Sequence, residues 1–355
     1  MGKDPLELIE LRGTPREIGR QYGEACSETI KRTVDFWVKR INAANPRASR
    51  AGIVAAAQAF LPPVRDFGPD IIEEVTGLGE GAGIGFDEAF FLQTITELGL
   101  YYAKLAGCTS AAATGEATAD GETFTAQNLD WAPGLELVVL RVKPLKGPEY
   151  LSLTYVGQFG LVGINAAGIA EQGNLITTTA SRVGVPRFPV IMCQALRQKN
   201  LADAVGLIWN AKRASSGNYL FATADGDIID VEATPDDIGF LYPERGILAH
   251  SNHCLTDRFR SSDTMGQFAP DSFLRAHRMT ELMEKHRGKL SVDVMKKLMA
   301  DHNDYPDAIC RHADQDDPPE RHMVTLAAII CQPKAGKIHA AYGNPCETEY
   351  VEYRL

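Results

Sequence analysis

Gly107-Cys108-Thr109-Ser110 is the stretch on which the reading of this 355-residue chain turns. Before it the pattern is mostly helical. After it, short β-prone runs alternate with turns. A Gly-Cys step can simply set an ordinary buried thiol on a strand. It can also be a junction at which the Cys108 thiol attacks the carbonyl of Gly107 and the chain breaks between them. Glycine suits the second use, because without a Cβ it tolerates strained backbone. The break would leave Cys108 with a thiol and a free α-amine, which titrates at about pH 8 and can act as a built-in general base.

Other segments hold groups that such chemistry requires. Gln127-Asn128-Leu129-Asp130-Trp131 ends a predicted strand near a carboxylate. His250-Ser251-Asn252-His253-Cys254-Leu255 offers an amide and two imidazoles. Asp301-His302-Asn303-Asp304-Tyr305-Pro306 leads to Ile309-Cys310-Arg311. With Leu11–Gly23 near the N-terminus and the Gly-Cys junction itself, these segments resemble the acyl-coenzyme A:6-aminopenicillanate acyltransferase (isopenicillin-N acyltransferase) family. That is the C45 group of autoproteolytic N-terminal-nucleophile enzymes. The five segments fall in the family's order, from Leu11 to about Tyr353.

The resemblance implies an α+β fold, the four-layer αββα sandwich of N-terminal-nucleophile hydrolases. It implies cleavage between Gly107 and Cys108 into a mostly helical segment 1–107 and a segment 108–355 carrying the nucleophile, together one compact domain. Acyl groups would rest on Cys108 as a thioester; water would then give hydrolysis, and an amine would give transfer. Asp130 would hold and orient the new α-amine. Asn252 would stabilise the oxyanion, as a side-chain amide can without a charge to titrate. Asn174, in Glu171-Gln172-Gly173-Asn174, is a second candidate. Arg321, before the late strand at Met323, is expected as the active-site arginine, with Arg311 as a structural alternative. The implied partner is a small amide or acyl donor, acyl-coenzyme A among them. Two other readings stay open: an uncleaved, non-catalytic binding protein on the same scaffold, and a papain-like thiol hydrolase pairing Cys108 with His250 or His253.

No cofactor or metal ion is expected for this chemistry. His250, His253 and Cys254 lack the third or fourth partner at usual spacing that a zinc site needs. Composition is that of an ordinary globular protein: 45% hydrophobic, 23% charged, net charge −10. Without a basic stripe, nucleic acid is an unexpected partner. Without an apolar run of roughly 20 residues, so is a membrane. The seven cysteines are odd in number, widely spaced and free of Cys-x-x-Cys, which fits a reducing, cytoplasmic setting.

Local patterns fill in the rest. A strand is predicted over 6–11, then Thr14-Pro15-Arg16-Glu17 as a capping box opening a helix. Helices are predicted over 53–60, 70–78 and 87–105, with Pro62-Pro63 as a separator. The run Gly77-Leu78-Gly79-Glu80-Gly81-Ala82-Gly83-Ile84-Gly85 reads as a turn between helices, since no strand precedes it as a nucleotide fingerprint requires.

Overall fold

A capping box opens the first helix as expected. Thr14 Oγ1 accepts from the Glu17 amide at 3.3 Å, and Glu17 Oε2 accepts from the Thr14 amide at 2.8 Å. The computed structural model describes residues 5–102 and 107–355. Ahead of the Gly-Cys step come β1 (Leu8–Gly13), α1 (Pro15–Ala25), α2 (Ser27–Ala44), α3 (Arg50–Ala57), α4 (Leu61–Phe67), α5 (Pro69–Ala82), α6 (Phe86–Leu92) and α7 (Ile95–Tyr102). Then follow β2 (Gly107–Gly115), β3 (Gly121–Trp131), β4 (Leu137–Pro144), β5 (Tyr150–Tyr155), β6 (Val162–Asn165) and β7 (Ile169–Gln172). Helices α8 (Met192–Leu196) and α9 (Leu201–Asn210) precede β8 (Gly217–Thr223), β9 (Ile228–Ala233), β10 (Ile238–Leu241) and β11 (Ile247–His250). The chain closes with α10 (Asp271–Lys285), α11 (Val292–Met299), β12 (Val324–Gln332), β13 (Lys337–Tyr342) and β14 (Val351–Arg354).

The strands make an eight-stranded sheet, β1-β4-β5-β6-β7-β8-β9-β10, and a six-stranded one, β11-β2-β3-β12-β13-β14. They pack face to face through β2 and β3 against β7, β8 and β9. Helices α1 and α8 cover the outer face of the larger sheet, and α10 and α11 cover the smaller one. The four layers expected from the resemblance are therefore present. Side chains alternate across a strand, and β2 shows it. Cys108 and Ala112 enter the core between the sheets, whereas Ala111 and Ala113 join Met279, Met283, Met295 and Met299 under α10 and α11.

One predicted helix and the expected separator differ from expectation. The run expected over 87–105 is broken at Gln93–Thr94 into α6 and α7, and residues 103–106 lie outside the described residues. Pro62 and Pro63 sit in the first turn of α4, where a missing amide costs no helical hydrogen bond.

The glycine-rich run is also corrected. Gly77, Gly79 and Gly81 lie inside α5, and only Gly83, at φ +68°, ends it. Two of these glycines, Gly77 and Gly81, stand in contact with α1. A Cβ on Gly77 would stand 2.1 Å from the Arg16 carbonyl oxygen, one on Gly81 2.1 Å from that of Arg20, and one on Gly19 2.0 Å from that of Glu74. Small residues four apart on both helices let the backbones touch. The pair carries β1, which runs parallel to β4 from Leu8 opposite Val139 to Gly13 opposite Pro144. The helical segment thus adds an edge strand to the larger sheet.

Gly77→Ala should therefore push α5 off α1 and destabilise the protein by roughly 1–3 kcal/mol, the ordinary cost of overpacking. Thermal unfolding checks this, with Gly206→Ala, whose Cβ meets open space, as the matched control. Equal melting temperatures for the two variants would disprove the contact.

Candidate active site

Cys108 stands at the first turn of pleat in β2, and its backbone is held from three directions. Its amide donates to Asn252 Oδ1 at 2.9 Å. Its carbonyl accepts from Ser251 Oγ at 3.1 Å and from an Arg275 guanidinium nitrogen at 2.7 Å. Asn252 follows the end of β11, which pairs antiparallel with β2 from Ile247 opposite Ala113 to His250 opposite Ser110. That pairing is what delivers Asn252 to the Cys108 nitrogen. The amide nitrogen of Asn252 donates to the Leu175 carbonyl at 2.9 Å, and its backbone amide to Ser272 Oγ at 2.7 Å.

The thiol faces a closed cavity of about 10 Å³ walled by Trp37, Leu129, Trp131, Tyr155 and Leu175. Burial, and then the nearby Asp130 carboxylate, push it up to about 11. Leu175 and the start of α7 separate this cavity from a pocket of about 460 Å³, lined by Leu98, Ile176, Val183, Met265 and Phe268 with Glu97 and Arg182 among them.

Asp130 lies on the opposite face of the smaller sheet. It pairs with Gly107 in register, and by strand alternation its carboxylate points toward α10 while the Cys108 thiol points between the sheets. Asp130 Oδ1 accepts from Thr325 Oγ1 at 2.8 Å, and Oδ2 stands 3.6 Å from Arg311 Nε. Loss of water raises the Asp130 carboxyl above its ordinary range, partly offset by Arg311 and Arg275. A Cβ on Gly107 would come within 3.3 Å of Asp130 Oδ2 and 3.6 Å of Arg311 Nε, so glycine leaves this carboxylate open to the junction. In the intact chain the Cys108 amide is held by Asn252, and Asp130 sits behind Gly107.

A relay of charge links these groups. Arg311 is paired with Asp130, Asp271 and Asp307. Asp271 Oδ2 accepts from Arg275 Nε at 2.7 Å, and Arg275 also donates to Thr109 Oγ1 and Asn252 Oδ1, each at 2.9 Å. Arg275 is 2% exposed. It was not expected as a site residue, although one signal existed: it falls on the buried stripe of α10 with Ser272, Ala276, Met279 and Met283. An arginine on such a stripe must be paired.

Arg321 is placed elsewhere. It lies in the exposed turn Pro319–Arg321, on the wall of a polar pocket that Asp271, Asp307 and Arg311 also line. Among the described residues it makes no hydrogen bond or ion pair with Cys108, Asp130 or Asn252. Arg311 and Arg275 are the arginines that contact Asp130 and the Cys108 carbonyl. Asn174 is fully buried: it accepts from Ser110 Oγ, and its side-chain nitrogen has no partner among the described residues. His250 is committed to Glu232 at 2.8 Å and to the Ser251 carbonyl at 2.7 Å, so neither ring nitrogen is spare for a thiol.

A family model described as acyl-coenzyme A:6-aminopenicillanic acid acyl-transferase matches residues 117–347, which hold Asp130, Asn174, Asn252, Arg275 and Arg311. Cys108 lies just upstream of that stretch. The 40 kDa form of acyl-coenzyme A:6-aminopenicillanic-acid-acyltransferase from Emericella nidulans is 26% identical over 309 residues, 85% of this chain and 84% of that protein. Among solved structures, a variant of conjugated bile acid hydrolase from Clostridium perfringens aligns with a TM-score of 0.48 at 12% identity, covering 69% of this chain and 97% of that one. Penicillin V acylase from Agrobacterium tumefaciens aligns at 0.46 and 13% identity, covering 66% and 83%.

Glu97, on the pocket wall, accepts from the Arg187 amide at 2.8 Å and Ser215 Oγ at 2.9 Å, and burial raises its carboxyl from 4.5 to about 7. A raised carboxyl favours the fold while protonated and disfavours it once ionised. The wild type should therefore lose stability relative to Glu97→Gln as pH rises from 4.5 to about 7, and hold a constant gap above that. Melting temperatures of the two proteins across that range test it; parallel curves would refute it.

Proposed function

The chain belongs to the acyl-coenzyme A:6-aminopenicillanic acid acyl-transferase family, and from that membership we propose an autoproteolytic cysteine amidohydrolase or acyltransferase that carries its acyl group on Cys108. The observation that carries the reading is the setting of Cys108: its thiol opens toward an apolar cavity, and its nitrogen is already in the grip of Asn252. In the intact chain, the Cys108 sulfur attacks the Gly107 carbonyl carbon, and the Cys108 nitrogen leaves as an amine. Water then hydrolyses the resulting thioester, releasing Gly107 as a carboxylate. The Asp130 carboxylate behind Gly107 and the Arg311 guanidinium beside it set the charge at that carbonyl.

In the cut enzyme the α-amine takes the thiol proton and later gives it to the leaving group of the substrate. Asn252 Oδ1, the acceptor for the Cys108 amide, would accept from that amine and hold its lone pair toward sulfur. Asn174 supplies the oxyanion donor, because its buried side-chain nitrogen has no partner among the described residues. Leu175 stands between Cys108 and the apolar pocket of about 460 Å³; with Leu175 swung aside the acyl group occupies that pocket, which suits an aryl or medium aliphatic chain. The acceptor, water or an amine, reaches the thioester from the solvent side of that pocket. The segments 1–107 and 108–355 stay associated, since β1 remains hydrogen-bonded to β4 and Tyr353 to the Leu6 carbonyl at 2.7 Å.

Purified wild-type protein should resolve into two fragments on intact-mass analysis, beginning at Met1 and Cys108. Cys108→Ala should stay whole and inactive. A single full-length species after long incubation at neutral pH, or normal processing of Cys108→Ala, would sink the reading in favour of a binding protein on this scaffold. A panel of amides and acyl-coenzyme A thioesters, scored by mass for an acyl group on the Cys108 fragment, identifies the donor.

Asn174→Ala should lower turnover by roughly 10²–10³-fold, the range for loss of one oxyanion donor, with little effect on KM. Single-turnover kinetics check this, and a drop below about threefold would remove Asn174 from the site.

A further inference from the structure

On the outer flank of the smaller sheet, away from the Cys108 thiol, two imidazoles and two thiols converge. His302, Cys310, His312 and Cys346 place one ligand atom each within 4.8 Å of all the others. Cys310 Sγ is 3.5 Å from Cys346 Sγ. His312 Nε2 is 3.7 Å from Cys310 Sγ, 3.4 Å from Cys346 Sγ and 3.1 Å from His302 Nε2.

These separations can be compared with a coordination shell. Zinc bound at about 2.3 Å to sulfur and 2.0–2.1 Å to nitrogen in a tetrahedron sets edges of about 3.8 Å (S–S), 3.6 Å (S–N) and 3.3 Å (N–N). The four measured edges fall within about 0.3 Å of those values. Two thiols and two imidazoles are also a donor set that zinc prefers in this geometry.

The surroundings fit as well. His312 turns Nε2 to the cluster and Nδ1 toward Glu347, 4.0 Å from Oε1, the outer carboxylate that orients many metal-bound histidines. Asn344 Nδ2 approaches Cys310 Sγ at 3.6 Å and donates to the Arg311 carbonyl at 2.7 Å. The Tyr305 ring packs on both histidines, its centroid 6.1 Å from that of His302 and 5.3 Å from that of His312. Cys310 is buried, whereas His302 and Cys346 reach the surface, so an ion can enter.

We propose that His302, Cys310, His312 and Cys346 form a tetrahedral zinc site. The site is structural, because four protein ligands leave no open position for substrate or water. Three ligands come from one loop between α11 and β12, and the fourth from the turn after β13. The ion therefore staples together two connections 34 residues apart in sequence. Arg311 stands between two of the ligands, so the staple also anchors the segment that reaches Asp130.

Protein purified without chelator and dialysed should carry about one zinc per chain by elemental mass spectrometry. Cys346→Ser and His312→Ala should each lose it, while Cys254→Ser, at the other cysteine-histidine segment, should keep it. Cobalt exchanged into the wild type should give the intense visible absorption of a tetrahedral thiolate site, and chelation should lower the melting temperature by several degrees. If the variants fail to fold, zinc and cobalt titration of the reduced, chelator-treated wild type decides alone. Full zinc retention by Cys346→Ser overturns the proposal. So does a reduced wild-type chain that takes up neither metal, the result expected if Cys310 and Cys346 serve only as a disulfide pair. None of these readouts depends on Cys108 chemistry.

Discussion

The buried ion-pair chain Asp130–Arg311–Asp271–Arg275 organises the centre of this molecule. Its members come from β3, from the loop before β12 and from α10, and it ends on the Cys108 carbonyl and the Asn252 side chain. Charges this far from water are tolerated only when paired, and removing one partner of such a pair costs about 3–5 kcal/mol. The helix layer, the smaller sheet and the Cys108 backbone thus share one set of electrostatic constraints. A displacement of α10 would unseat Arg275, and with it both the Cys108 carbonyl and the acceptor of the Cys108 amide.

The chain's position also separates two kinds of work. Because β2 and β3 alternate their side chains, the thiol of Cys108 enters the apolar space between the sheets while Asp130 enters the polar space beneath α10. The thiol is thereby held protonated in a dry wall, pushed up by burial. The charged groups act on the backbone around it, at Gly107 and at the Cys108 carbonyl. One strand pair so keeps an apolar cavity at the thiol and a charged cluster at Gly107 without mixing them. Glycine at 107 is part of that separation, since any side chain there would press on the Asp130–Arg311 pair.

The helical segment ahead of the junction is bound in by geometry rather than by charge. Gly19, Gly77 and Gly81 bring α1 and α5 into backbone contact, α1 lies on the larger sheet, and β1 completes that sheet's edge. Trp37 of α2 meets Trp131 edge-on, with ring centroids 5.9 Å apart, and Trp131 meets Tyr155 at 5.8 Å, so the helices also close the cavity at the thiol. A break after Gly107 would leave all of these contacts in place.

Much of this was legible in the sequence because it depends on near neighbours. The Thr14–Glu17 box, the strand pattern after Cys108 and the Gly-Cys step itself are local signals, set by hydrogen bonds and side-chain periodicity within a few residues. The order of segments carried the family. What the sequence by itself left open is whatever joins residues far apart. Arg321 and Arg311 are equally plausible as strings of letters, and only the path of the loop before β12 brings Arg311 to Asp130. Arg275 sits 167 residues from the Cys108 carbonyl it binds. The glycines of α5 read as a turn, because the backbone that excludes their side chains belongs to α1. His302, Cys310, His312 and Cys346 share no recognisable spacing, since the fourth arrives from beyond two strands. Local chemistry decides which element forms. Only the packing of sheet on sheet and helix on sheet decides which charges must meet, because burial, not sequence distance, makes an unpaired group costly.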